Sequence, residues 1–490
     1  MVDVVVVGSG PNGLAAAATM ARAGLEVRVL EANDTIGGGA RTLDLGLAPG
    51  LVHDICSAVH PMAVASPFLA EFDLQARGVR LAVPEASYGQ PLDGGRAGIA
   101  YRSLERTAEE LGADGVAWHR FFAPLVREAE LFTELGLGDR RSVPDGLLSA
   151  HGLAAVAGLV ERLLEQGTPA WNLRFSGDVA PALLTGVAAH AISPMPSLAA
   201  AGTSLMLGTL AHSVGWPIPV GGTGSITAAL AEDVRAHGGV IETDRRIVDW
   251  RELPRARSYL FDTTPATLVQ IWGERMQPAV RAGLVRFRYG DAAAKVDFVL
   301  SGAVPWADPR LAAAGTVHVG GSRGDMARAE AQVARGVLPE RPMVLFSDPV
   351  VADPSREVGG LRPAWSYAHV PAGSTADVAE AVTAQIERFA PGFRDLVVVA
   401  RCVPAAQMQQ HNENYVRGDI AAGVVSAWGM VARPRLALDP YAAGIPGVYL
   451  CSASTGPGPG VHGMGGWHAA RRALAARFGI MRPPALGPTG

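Results

Sequence analysis

The segment from Val2 to Glu31 constrains what this chain can fold into more than any other. A continuous apolar run from Val2 to Val7 leads into Gly8-Ser9-Gly10-Pro11-Asn12-Gly13, then an Ala-rich stretch from Asn12 to Ala23, then a second apolar run from Glu26 to Glu31. An unbroken apolar run of this length reads as a strand buried on both faces of a parallel sheet. The Ala-rich stretch reads as a helix stopped by Gly24. In a strand–GxGxxG–helix unit Gly8 makes the tight turn, Gly10 lets backbone approach a diphosphate, and Gly13 lets helix and strand pack closely. The diphosphate then rests on the free N–H groups at the helix N-terminus, beside Pro11 and Asn12. Glu31 ends the second strand, where an acid hydrogen-bonds the adenosine ribose hydroxyls. Strand, helix, spacing and acid agree, and they predict a bound dinucleotide.

Two further stretches choose among dinucleotides. After Glu31 and Ala32 comes Gly37-Gly38-Gly39-Ala40-Arg41-Thr42. Glycines such as Gly38 and Gly39 suit a backbone passing close to a long cofactor, and Arg41, next to Thr42, has the fork geometry for phosphate. Near the C-terminus a strand from Val448 to Cys451 runs into Ser452 and a Gly/Pro loop, Gly456 to Gly466, that opens a helix from about Gly465 to Phe478. A helix N-terminus aimed at the N1–C2=O edge of a flavin stabilises negative charge on the reduced ring. That reading assigns Ser452, Gly460, Val461, His462 and Met464 to the flavin edge, and FAD rather than NAD as the cofactor. A plain strand-to-helix turn is the alternative for this loop.

Composition narrows the partners. With 49% hydrophobic residues, 18% charged residues and a net charge of −4, there is no electrostatic case for nucleic acid. Cys56, Cys402 and Cys451 are far apart and form no CxxC, so neither a disulfide framework nor dithiol redox chemistry is expected. No metal-ligating cluster stands out. The chain opens on a strand without a basic leader, which predicts no signal peptide and a cytoplasmic setting. Val179 to Ala231 carries no Asp, Glu, Lys or Arg, yet Pro181, Pro194, Pro196, Pro217 and Pro219 cut it into pieces shorter than the ~20 residues of a membrane span. It reads as a buried helical core, and equally as the wall of an apolar substrate cavity.

The remaining pattern alternates. From about Ala76 to Gly215 it is largely helical, with helices expected over Ser103 to Leu111, Trp118 to Leu135 and Leu153 to Gln166. A helix over Ile226 to Ala236 and strands at Val240 to Thr243 and Tyr259 to Phe261 return to the dinucleotide type. Leu284 to Val403 mixes strands (Ala294 to Leu300, Thr316 to Val319, Met343 to Ser347, Trp365 to Val370) with a helix over Thr375 to Phe389. The expected fold is α/β, with an FAD-binding Rossmann domain built from discontinuous segments (1–75, 216–283 and 425–490) and a mixed sheet and helical substrate domain (76–215 and 284–424).

Many separated motifs resemble one family. Ser57-Ala58-Val59-His60-Pro61, Gly215-Trp216-Pro217, Asp262-Thr263-Thr264-Pro265, Lys295-Val296-Asp297, Trp365-Ser366-Tyr367-Ala368-His369-Val370-Pro371, Gly418-Asp419-Ile420 and Gly460-Val461-His462-Gly463-Met464 are similar to those of phytoene desaturase-like, or carotenoid oxidoreductase-like, flavoproteins. The nearest branch is the one labelled pyridine nucleotide-disulfide oxidoreductase domain-containing proteins. The resemblance implies the glutathione-reductase-like FAD fold, a flavin between two domains, and an adenine-side backbone contact at Ile247. Gly456 and Pro459 depart from the histidine and glycine expected in the C-terminal loop, and no cysteine pair supports the disulfide part of the label.

Two residues stand out for chemistry. Lys295 is the one lysine in the chain. In the related amine oxidases a lysine in a similar strand holds a water against flavin N5, so the resemblance implies a catalytic Lys295; a lysine removed from water also handles protons more readily. An edge-strand lysine in solvent is the plain alternative. His60 follows a loop expected to line the flavin, as a base or substrate contact. His190 and His212 fall in the charge-free segment and read as core or cavity-lining.

The function so read is removal of hydride from an apolar or amphipathic small molecule, desaturating a C–C or C–N bond, with O₂, a quinone or another acceptor completing the cycle. Reduction or redox-neutral isomerisation of a polyene is a second reading, and a non-catalytic FAD protein that binds lipid or a partner is a third. The amphipathic stretch Leu147 to Leu164 is the candidate for peripheral membrane contact, or else a core stripe.

Overall fold

The computed structural model describes residues 2–488. Val2–Val7 sits in a five-stranded sheet whose order is Val448–Leu450, Ala256–Phe261, Val2–Val7, Val27–Leu30, Val240–Glu242. All four pairings are parallel, with Val4 opposite both Ser258 and Val27. Strands far apart in sequence become neighbours because a parallel pair needs a crossover between its members.

Alternation along Val2–Val7 serves two cores at once. Val4 and Val6 pack with Ala16, Ala17, Met20 and Ala469 on one face. Val5 and Val7 pack with Leu268, Ile271 and Trp272 on the other. The first face is covered by the Pro11–Arg22 helix, whose proline at the first turn gives up an N–H that has no helical partner anyway. Small side chains let the Met464–Ala473 helix close on it: a Cβ on Gly466 would collide with the Asn12 carbonyl, and Gly466 N–H donates to Asn12 Oδ1 at 3.3 Å.

A second, seven-stranded sheet runs Val397–Val403, Ala292–Leu300, Arg362–Val370, Val344–Ser347, Thr316–Val319, Ala86–Leu92, Arg96–Tyr101. One face buries Val296, Phe298, Val344 and Phe346 against Val382, Ile386, Phe389 and Phe393. Facing strands align residues into rows across the other side. Thr316 lies opposite Ser347, Ser347 opposite Trp365 and Trp365 opposite Asp297; in the next row His318, Leu345, Tyr367 and Lys295 follow one another in the same way.

Three expectations change in detail. The stretch 76–215 is not helical throughout, because Ala86–Leu92 and Arg96–Tyr101 form an antiparallel hairpin that edges the second sheet. Its turn is Asp93-Gly94-Gly95, with both glycines at positive φ. The helix expected over Trp118 to Leu135 is two helices, Gly115–Arg127 and Ala129–Leu137, broken at Glu128. The helix expected from Thr375 begins at Ala379, since Asp377 Oδ1 accepts from Ala379 N–H at 2.9 Å and holds the preceding chain in a turn. Val179 to Ala231 contains the buried Val179–Ala188 helix and the Leu198–Ala211 helix. No helix among the described residues is long and apolar enough to cross a membrane.

Candidate active site

One cavity of about 750 Å³ runs from the Gly8–Asn12 loop to the charge-free helices and the row-bearing face of the second sheet. Of the residues singled out from sequence, Gly8, Gly10, Pro11, Asn12, Glu31, Ala32, Gly38, Gly39, His60, Ile247, Gly460 and Val461 line it. Gly13, Arg41, Thr42, Lys295, Ser452, His462 and Met464 are not in the wall and stand behind it.

At the Gly8 end the backbone is shaped by contacts that exclude larger residues. Gly8 has φ +96°, and a Cβ on Gly13 would strike the Gly8 carbonyl. Glu31 is held by four hydrogen bonds: Oε2 accepts from Ser9 N–H at 2.9 Å and Ser9 Oγ–H at 2.6 Å, and Oε1 accepts from Asn33 N–H and Nδ2–H at 2.9 Å each. The carboxylate therefore stands over the loop with its ordinary acceptor capacity engaged by rigid donors.

Asp262 is the site residue the motif reading did not single out. It ends the Ala256–Phe261 strand, lines the cavity, and its Oδ2 accepts from Gly13 N–H at 2.9 Å. Burial pushes its carboxyl up to about 7, against the lowering effect of that N–H and with a further push from Glu31. Asn414 Nδ2 donates to the Asp262 carbonyl at 3.0 Å, so a distant loop clamps the same strand end. The available signal was positional, since a residue at the carboxyl end of a central parallel strand lies where ligands bind.

Arg41 and Thr42 brace the glycine loop. Arg41 donates from Nε to the Gly38 carbonyl at 2.8 Å, from Nη1 to Thr35 Oγ1 at 3.0 Å, and from Nη2 to the His411 carbonyl. Thr42 Oγ–H donates to Asp54 at 2.6 Å and accepts from Gly224 N–H at 2.9 Å. Asp54 in turn meets Arg356 at 3.0 Å in a fully buried ion pair.

The C-terminal loop is organised by His462. Its Nδ1 accepts from Met464 N–H at 3.1 Å, which leaves Nε2–H to donate to the Gly458 carbonyl at 3.2 Å. Burial drops its pKa to about 4. Both ring nitrogens of this neutral imidazole are engaged, so it orients the loop that presents Gly460 and Val461.

His60 is different, because one nitrogen stays free. Thr223 Oγ–H donates to the Ser57 carbonyl at 2.5 Å, so Thr223 accepts from His60 Nε2–H at 2.8 Å and Nδ1 keeps its lone pair. Burial drops the His60 pKa to about 4 despite the pull of Asp54.

Lys295 is interior rather than edge. Its strand runs between Arg362–Val370 and Val397–Val403, the residue is 3% exposed, and its ammonium pairs with buried Asp297 two positions on, on the same strand face. Its charge reaches Cys56 in the cavity wall. The three cysteines are free. His212 belongs to the core, donating from Nδ1–H to the Tyr101 carbonyl at 2.8 Å and accepting from Trp118 Nε1–H at 3.1 Å. His190 lines the cavity.

Residues 6–72 match the NAD(P)-binding Rossmann-like domain family. An uncharacterized protein of Mycobacterium tuberculosis is 31% identical over 389 residues, covering 69% of this chain and 67% of its own. Pyridine nucleotide-disulfide oxidoreductase domain-containing protein 2 of Rattus norvegicus is 24% identical over 96% of this chain and 92% of its own. Among solved structures, a redesigned putrescine oxidase shares the fold with a TM-score of 0.59 and 18% identity, over 98% of this chain and 99% of that one. Cyclohexylamine oxidase from Brevibacterium oxydans has a TM-score of 0.56 and 17% identity, over 98% of this chain and 100% of that one. The chain thus belongs to one family with the mycobacterial protein, an oxidoreductase family homologous to the pyridine nucleotide-disulfide oxidoreductase domain-containing proteins.

Proposed function

We propose that this protein is an FAD-dependent oxidoreductase of the phytoene desaturase-like type that takes hydride from an apolar or amphipathic small molecule. The observation that carries the reading is the continuity of one cavity from the Gly8–Asn12 loop to an apolar chamber lined by Leu198, Met206, Trp216, Leu345 and Trp365. A chamber so lined binds apolar ligands and excludes water.

FAD fits the other end. The cavity meets the start of the Pro11–Arg22 helix, where Gly13 N–H is held by Asp262 and the Asn12 N–H is left to favour a diphosphate, and Gly10, Gly38 and Gly39 leave room at its wall. Glu31 and the Ile247 backbone take the adenosine side, and Gly460 and Val461 the ring side. When bound, FAD supplies the two-electron acceptor, and O₂, a quinone or another acceptor restores it. Segments 1–75, 216–283 and 425–490 form the cofactor unit in this reading, and 76–215 with 284–424 the substrate unit.

The chain's own residues divide the remaining work. A base held near 4 takes few protons at neutral pH, so His60 serves as a hydrogen-bond acceptor that orients substrate through Nδ1. The Lys295–Asp297 pair handles the companion proton on the sheet side. Leu153, Val160 and Leu164, exposed on the Ala150–Gln166 helix, supply a peripheral membrane contact through which an apolar substrate is loaded.

Anaerobic titration of the yellow holoprotein with apolar candidate substrates tests this. Bleaching of the flavin band is expected. Purification without any flavin overturns the cofactor, and turnover of a polyene with no external acceptor assigns the isomerase chemistry instead.

A further inference from the structure

The chamber contains a polar feature that hydride removal does not require. His190 lines the cavity, and its Nε2 lies 2.8 Å from Nε2 of His318, which is fully buried on the Thr316–Val319 strand. Trp216 and Tyr88 enclose the pair, with ring centroids 5.5 Å from His190 and 5.2 Å from His318 respectively. Thr316, two residues before His318 and on the same strand face, lines the cavity with its buried Oγ1 unpartnered, and so does Trp365 with its Nε1. Buried polar atoms without partners are rare in folded proteins and call for an explanation.

Charge in the wall is distributed unevenly. Its acidic and basic residues are Glu31, Arg245, Arg246, Asp262 and Glu413. All of them belong to the dinucleotide end: Arg245 N–H donates to the Glu31 carbonyl at 2.7 Å, Arg246 pairs with Glu413, and Asp262 holds Gly13. No Asp, Glu, Lys or Arg lines the chamber around His190.

We propose that the His190–His318 pair, with Thr316 beside it, is a polar anchor that takes one uncharged oxygen, hydroxyl or carbonyl, of an otherwise apolar substrate. This rests on reading the chamber as the substrate site. A charged ammonium or carboxylate entering it loses its hydration and meets no counter-charge, which costs far more than a neutral oxygen that finds a hydrogen bond. Burial lowers the pKa of His190 to about 3 and that of His318 further below its ordinary value, so the pair adds no positive charge.

Its tautomers explain the choice between hydroxyl and carbonyl. Each neutral imidazole carries one N–H, and the shared Nε2···Nε2 bond uses one of the two. When His318 donates, His190 holds its proton on Nδ1 and offers the cavity a donor. When His190 donates, its Nδ1 is a lone pair and offers an acceptor, but His318 then carries its proton on Nδ1, buried without a partner, so the donor arrangement is the favoured one. The anchor is a positioning group: His318 and Lys295 share a sheet row three strand spacings apart, roughly 14 Å. The bound oxygen is therefore remote from the proton-handling end.

Binding to purified holoprotein tests the anchor without turnover. Calorimetric titration with octane, octanol, octylamine and octanoate is expected to rank octanol tightest, with the two ions at least about tenfold weaker. His190→Phe and, separately, Thr316→Val are expected to weaken octanol several-fold while leaving octane unchanged, with bound FAD and thermal midpoint as checks on folding. His190→Asn, whose amide offers both a donor and an acceptor, is expected to restore much of the octanol preference. Tightest binding of octylamine or octanoate, or octanol affinity indifferent to both variants, overturns the proposal. Octanol binding that depends on His190 in a protein whose flavin no substrate bleaches keeps the anchor and removes the redox reading.

Discussion

Lys295 and His318 occupy one row of the seven-stranded sheet, with Tyr367 and Leu345 between them. The two polar residues thus bracket an aromatic and aliphatic floor. Trp365, Tyr367 and His369 stack along the neighbouring strand, with centroids 5.7 Å apart at each step. Of this row only Tyr367 and Leu345 line the cavity, so its floor there is apolar, with Lys295 and His318 outside the wall.

Lys295→Met separates catalysis from structure when paired with a second change. Alone it leaves Asp297 buried without its cation, and breaking such a pair from one side costs about 3–5 kcal/mol. Lys295→Met with Asp297→Leu is expected to recover most of that stability. Both variants are expected to retain FAD and to reduce it about 100-fold more slowly or worse, the scale of a lost proton-transfer group. Anaerobic stopped-flow absorbance checks this; a double variant as fast as wild type removes Lys295 from the mechanism.

Glu31→Ala removes the acceptor shared by Ser9 and Asn33. The loop loses its brace, so flavin bound per purified chain is expected to fall at least about tenfold. The ratio of flavin to protein absorbance after gel filtration measures it.

Asp262 gives the apoprotein a pH signature. Its folded pKa is raised by burial from 3.8 to about 7, so between those values the folded chain keeps a proton that the unfolded chain has released. Its contribution to stability therefore declines as pH rises through that window and is lost above it. Asp262→Asn is expected to stabilise the apoprotein relative to wild type progressively from pH 4 to pH 7, by up to about 4 kcal/mol. Urea unfolding at several pH values reads the difference, and a constant difference would contradict the burial argument.

Buried histidines work in the opposite direction. His60, His212 and His462 are lowered from 6.5 to about 4 by burial, so each is neutral when folded and protonates once unfolded. The stability they contribute is fully present above pH 6.5 and lost as pH falls towards 4. His212→Gln is expected to make acid unfolding less steep by close to one proton, measured from the pH dependence of the urea midpoint. Trp118→Phe, which strips His212 Nε2 of its donor, is expected to cost about 1–3 kcal/mol without changing flavin content.

Much of the fold was legible because its signals are local. Gly8, Gly10, Gly13 and Glu31 lie within one strand–helix–strand unit, and Gly8, Gly10 and Glu31 line the cavity. The hairpin of Ala86–Leu92 and Arg96–Tyr101 escaped notice because its strands contain Gly89, Pro91 and Gly98, which weaken a strand pattern; Asp93-Gly94-Gly95 was the turn signal that marks it. The Lys295–Asp297 pair follows from period-two alternation once that run is a strand. The His190–His318 pair has no local signal at all. Its members are 128 positions apart and meet only because the Val179–Ala188 helix and its 3₁₀ extension, Ala189–Ala191, pack against the Thr316–Val319 strand.

The contact of Gly466 with Asn12 has a consequence for biosynthesis. The first strand and helix leave the ribosome long before Ala256–Phe261 and Val448–Leu450, the strands that complete their sheet, and before the Met464–Ala473 helix that covers it. A nascent chain folds from its N-terminus as it emerges, but here the earliest element waits for the latest. Cofactor capture is then expected only after the Met464–Ala473 helix has emerged and packed, and a ribosome-stalled chain ending before that helix is expected to carry the fingerprint without retaining flavin.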